Sequence, residues 1–150
     1  MAYWLMKSEP GAYSISDLKR DGTIYWDGVR NYQARNHMRT MQIGDEAFFY
    51  HSNCKIPGIV GIMKIVKTAY PDHTAFDPSD HHYDPKSHAG NPRWDMVDVA
   101  YVRTFPEIIS LTQLRETADL ESMLILRKGN RLSITPVSKT EWETILKLVE

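Results

Sequence analysis

The chain has 150 residues and 17.4 kDa, with 42% apolar and 25% charged side chains, a composition that excludes a largely disordered protein. Eighteen basic against nineteen acidic residues leave a net charge of −1, which excludes a protein that holds nucleic acid by bulk charge alone. A single cysteine, Cys54, excludes an internal disulfide, and no apolar run approaches the ~20 residues of a membrane helix, so one soluble cytoplasmic domain over 1–150 is expected.

In chain order, residues 2–7 read as an opening strand that stops at Pro10-Gly11. Ser14 and Asp17 have the spacing of a capping box, and Gly22 ends the short helix they open. Residues 23–26 form a short strand before the turn Asp27-Gly28, and residues 32–41 suit a helix closed by Gly44. Residues 47–51 and 59–66 are the clearest strands, the second almost continuously apolar or β-branched. From Pro71 to Pro92 four prolines and the lack of periodicity predict a solvated loop, long enough to act as a binding flap. Residues 96–105 alternate as a strand, and residues 131–137 give a last one. Ser110, Asp119 and Ser138 are candidate N-caps, the last with Glu141 completing a capping box before a helix over 139–149. Several short strands with peripheral helices predict an α+β fold, a curled or closed sheet dominated by antiparallel pairs.

No phosphate-binding glycine loop, dinucleotide fingerprint, His-Glu-x-x-His or Cys-x-x-Cys is present, and Cys54 beside His51 is read as an ordinary small side chain. Asp72, His73, Asp77, Asp80, His81, His82, Asp84 and His88 are potential metal ligands. Their irregular spacing, broken by Pro71, Pro78 and Pro85, suits a polar loop better than a cage that converges on one ion. No metal site is therefore assigned. A metal-dependent nuclease or base-modifying hydrolase using loop 72–88 is the alternative reading.

The stretch from Trp26 to Asn36 carries two aromatics, two Arg and two Asn at a strand-to-helix junction. Aromatic faces stack on bases, Arg reaches phosphate, and Asn can both donate to and accept from a base edge. The same stretch also suits a surface helix with its Trp in the core. Lys7-Ser8-Glu9 places a cation, a hydroxyl and a carboxylate at a strand end, and residues 127–139 hold four cations and no acid.

Five segments in order, Tyr3-Trp-Leu-Met-Lys-Ser-Glu-Pro10, Trp26-Asp-Gly-Val-Arg-Asn31, Phe49-Tyr-His-Ser-Asn53, Pro57-Gly-Ile-Val-Gly61 and Leu126-Arg-Lys-Gly-Asn-Arg-Leu-Ser133, resemble the EVE domain family across essentially the whole chain. The resemblance implies a stand-alone bacterial member with a PUA-like fold, a small and mostly antiparallel β-barrel with short helices around it. It also implies a protein that binds nucleic acid, DNA or RNA, by taking a modified base out of the stack; a non-enzymatic monomer is expected. It suggests no metal or organic cofactor and no catalytic residue. Carried over by position, Trp26 would stack on the base, with Ser8 and Glu9 at the base edge. Asn31, Lys7, His51, Ser52 and Asn53 would line the pocket or its mouth. Arg30, Arg35, Lys128 and Arg131 would meet phosphates.

Overall fold

The computed structural model describes residues 1–149. Among these residues six strands and four α-helices follow in the order β1 (Tyr3–Ser8), α1 (Ile15–Asp21), β2 (Thr23–Tyr25), α2 (Tyr32–Thr40), β3 (Glu46–His51), β4 (Gly58–Pro71), β5 (Asp95–Ser110), α3 (Leu111–Glu116), β6 (Ile134–Val137) and α4 (Lys139–Val149). The strands form one sheet in the order β2-β5-β4-β3-β1-β6. Only the β1–β3 pair is parallel. The mixed α+β architecture is the expected one, but the sheet is open, with β2 and β6 as its edges.

Both faces of this sheet are buried. Side chains alternate across a strand, so the neighbours Phe48 and Phe49, both fully buried, enter different cores. Phe49 joins Trp4, Met6, Trp26 and Val97 under α1 and α2, whereas Phe48 joins Leu5, Phe105 and Trp142 under α3 and α4. Burying one such side chain contributes about 1.5–3 kcal/mol, so each helix is held mainly by the apolar face it covers.

The helix starts follow from local chemistry. Ser14 Oγ accepts from the Asp17 amide while Asp17 accepts from the Ser14 amide, and Ser138 and Glu141 repeat the arrangement at α4. Ser110 caps α3 through the Gln113 amide. Asp119, the third expected cap, instead lies inside a 3₁₀ turn (Ala118–Leu120) that has no side-chain cap. Two strands are longer than their apolar patterns. β5 runs through Pro106, where the residues between Thr104 and Ile109 face only Val60 of β4; the proline sits in a bulge where no ladder amide is needed.

The loop after β4 is largely exposed, as expected, but it is pinned by the buried Asp72, Thr74, Ala75 and Ser87 and ordered by its own turns. Asp72, Asp77, Asp80 and Asp84 each accept from the amide two residues on, forming four successive Asx turns. Asp72 is fully buried, and Trp94 Nε1 donates to Asp84 at 2.7 Å.

Candidate functional site

A cleft of about 400 Å³ opens beside the edge strand β2. Its walls are the end of β1 with the turn that follows it (Lys7, Ser8, Ala12, Tyr13), the chain from Ile24 to Asp27, and His81 and His82 from the long loop. Trp26 is held by its backbone, whose amide donates to Val97 O at 2.7 Å. Its ring meets Phe49 edge-on at 5.4 Å and is only 8% exposed, so it belongs to the core and lines the cleft at once. The two readings of Trp26 are not exclusive.

The loop wall is fixed by one cation. Arg30 donates to Asp72 Oδ2 (3.0 Å), to Thr74 Oγ1 (3.2 Å) and twice to the His82 carbonyl (2.8 and 3.0 Å). The Gly28 amide also donates to Asp72, at 2.8 Å. Burial pushes the Asp72 carboxyl up, but hydrogen bonds from Thr74, Gly28 and Arg30 outweigh it and hold the carboxyl below its ordinary range. Expected at phosphate, Arg30 thus has its guanidinium engaged in bracing the loop. His82 rests against Gly28, and its Nδ1 lies 3.3 Å from Asp80 Oδ1 and 3.7 Å from Asp27 Oδ2.

The other expected pocket residues divide into three groups. Lys7, Ser8 and Trp26 line the cleft together. The Lys7 ammonium lies over the Tyr50 ring at 5.9 Å, and burial lowers its pKa; the Ser8 hydroxyl donates to Tyr13 O at 2.6 Å. Glu9, His51, Ser52 and Asn53 are placed beside the cleft as scaffolding. His51 Nε2 accepts the Ile15 amide at 3.1 Å and so caps α1 from a neighbouring strand. The Ser52 amide donates to Ser8 O at 3.0 Å, and Asn53, at φ 50°, donates to Glu9 at 3.1 Å. Asn31, Lys128 and Arg131 meet at a second cleft of about 430 Å³, together with Arg127 and Gln33. There Asn31 also caps α2 through the Ala34 amide. Arg35 stacks on Tyr32 at 4.7 Å and donates to Arg93 O at 2.8 Å, at neither cleft.

Tyr13, Tyr25, Asp27, His81 and His82 line the first cleft without having been singled out as pocket residues. Tyr25 and Asp27 flank Trp26, so their adjacency was the available signal. The histidines could be found only through the flap role of the loop. Ligand atoms of Asp80, His81 and His82 come within 4.8 Å of one another. They belong to three consecutive residues, and Asp80 already accepts the His82 amide at 2.8 Å.

The EVE domain family matches residues 2–148. Thymocyte nuclear protein 1 of Homo sapiens is 48% identical over 167 residues, which cover 99% of this chain and 74% of that protein. A crystal structure of a Pseudomonas syringae protein is 53% identical with a TM-score of 0.98, over 99% of this chain and 100% of that one. Human THYN1, crystallised in complex with DNA containing 5-methylcytosine, is 49% identical with a TM-score of 0.94, over 100% and 98% of the two chains. With five motifs in order, a matching fold and a match over nearly its whole length, the chain belongs to the EVE domain family.

Proposed function

We propose that this protein binds nucleic acid carrying a modified base, and that the base leaves its stack to enter the cleft beside Trp26. The observation that carries the reading is the aromatic cleft itself, in a fold that a THYN1 chain crystallised with 5-methylcytosine DNA shares at 49% identity. Extrusion costs a few kcal/mol of stacking, and one base–aromatic stack returns about 1–3 kcal/mol. A methyl group against the apolar lining adds about 0.8 kcal/mol, which favours the modified base over the plain one. The cations at the second cleft, Arg127, Lys128 and Arg131, suit the phosphates of the same strand.

The protein acts by binding, without a catalytic step. The carboxylates of the His/Asp loop support this: Asp72 braces Arg30, and Asp77 and Asp84 hold their own turns. It acts as a monomer of one domain. Its helices cover both sheet faces, and the sheet edges are strands of three and four residues. No helix of the described residues is long and apolar enough to cross a membrane.

Fluorescence titrations with matched DNA and RNA oligonucleotides, plain or carrying one modified base, test the reading. Tighter binding of a modified strand is expected. Equal affinity for every strand, or none for any, would overturn it.

A further inference from the structure

We propose that the Asp27 carboxyl selects the base: it admits an edge bearing an exocyclic amine, as on cytosine, and disfavours the thymine edge with a carbonyl in that place. The inference rests on the reading of the cleft as a base pocket.

Asp27 is the one carboxyl among the residues that line the cleft. It follows Trp26 in the chain and lines the same cleft as the ring on which a base would lie. Its side chain is 31% exposed, and the His82 imidazole lies beside it, with Nδ1 3.7 Å from Oδ2. No side chain of the described residues donates a hydrogen bond to it. The neighbouring carboxyls have structural work: the buried Asp72 takes Arg30, Thr74 and Gly28, and the half-buried Asp80 takes the His82 amide. Burial first, and the neighbouring Asp72 second, push the Asp27 carboxyl up, while His82 pulls the other way. Its own backbone amide is the donor that reaches it and no side chain of the described residues adds a second, so this partly desolvated carboxylate keeps accepting capacity for a ligand.

An entering base completes or aggravates that situation. A cytosine-type edge brings an N4 amine that donates to the carboxyl, a pairing that acidic side chains make with cytosine. Thymine brings O4 to the same place and sets acceptor against acceptor. 5-Methylcytosine and thymine carry the same C5 methyl and nearly the same ring, so stacking and methyl burial cancel between them. What remains is the edge that Asp27 would read.

The test uses the full chain and single-stranded DNA oligonucleotides that differ only at one central position: cytosine, 5-methylcytosine or thymine. Anisotropy titrations with wild type should favour 5-methylcytosine over thymine by about tenfold, in the range of one good base-edge contact. Asp27→Asn, close in shape and able to donate to O4, should bring the ratio to unity or invert it while thymine binding holds. Asp27→Ala, checked for its melting midpoint, should also level the ratio. A preference retained in both variants overturns the role of Asp27 and leaves the base pocket standing. So does a wild type that binds 5-methylcytosine and thymine equally and both above cytosine, because the methyl alone is then read. A wild type indifferent to all three strands overturns the pocket, and this inference with it.

Discussion

Gly28 and His82 occupy a space that only a residue without a side chain leaves open. A Cβ at Gly28 would lie 2.5 Å from His82 Nε2, and Gly28 itself sits at φ +78°. Gly28→Ala therefore costs twice. The left-handed backbone is strained by about 1–2 kcal/mol, and the imidazole must swing out of the cleft wall. The expected result is a lower melting midpoint together with weaker oligonucleotide binding; unchanged binding would mean that the position of His82 does not matter to the ligand.

Arg30 holds the loop through a carboxylate that has no access to water. Its side chain is 22% exposed against 0% for that of Asp72. Arg30→Ala leaves the buried Asp72 carboxylate without its counter-charge, with only Thr74 and the Gly28 amide still donating to it, which should cost about 3 kcal/mol in a denaturant melt. Binding of modified and plain strands should fall together, because the variant loosens a wall and removes no base contact. A surface arginine that met only phosphate would cost little stability, so a near-normal melt would return Arg30 to that role.

Trp26 is expected to carry stability and affinity together. Truncation to Ala should cost about 3–5 kcal/mol of stability, as for a buried aromatic, since the ring packs on Phe49 in the core. At temperatures where the variant stays folded, about 1–3 kcal/mol of binding should also be lost. Trp26→Phe should keep part of both. If Trp26→Phe binds as wild type and Trp26→Ala does too, the base lies elsewhere.

His51 makes stability depend on pH. Burial lowers its pKa from 6.5, and because Nε2 accepts the Ile15 amide the ring must be neutral when folded. Its contribution is complete above about pH 6.5, where the unfolded ring is also neutral. As the pH falls below that value the unfolded chain takes up the proton first, and the contribution drains away until the folded ring titrates in turn. His51→Gln, whose side-chain carbonyl can accept the same amide, should show a smaller drop in urea midpoint between pH 7.5 and 5.5. Parallel drops in the two proteins would show that His51 does not titrate against folding.

Much of the fold was legible because the local signals agreed. Ser14 with Asp17 and Ser138 with Glu141 opened α1 and α4, and Gly22 closed α1, all from spacings of a few residues. The strand ends were obscured where tertiary packing overrides pattern. Lys67 to Tyr70 extends β4 although the segment is not buried, because β5 supplies ladder partners that no local pattern reveals. Pro106 reads as a stop, yet a bulge accommodates it. Trp26 and Ser8 stand out in the sequence as residue types that can meet a base, and the fold lines one cleft with both. His51 stands out in the same way, but it lies outside that cleft with a lone pair aimed at a helix start thirty-six residues earlier in the chain. Residue type suggests that a side chain can bind; only the fold tells whether its partner is a ligand or the protein.

The order of the strands also governs how the molecule comes into being. β1 lies between β3 and β6, and its ladder with β6 joins Tyr3 to Val137 and Met6 to Ile134 across nearly the whole sequence. During synthesis β1 can find β3 early but keeps a bare, apolar flank until residues 134–137 clear the ribosome. Contacts so distant in sequence are slow to form, and an uncovered strand is a template for other chains. A nascent chain halted short of Ile134 is thus the species most open to misassembly, and chaperone engagement should peak there.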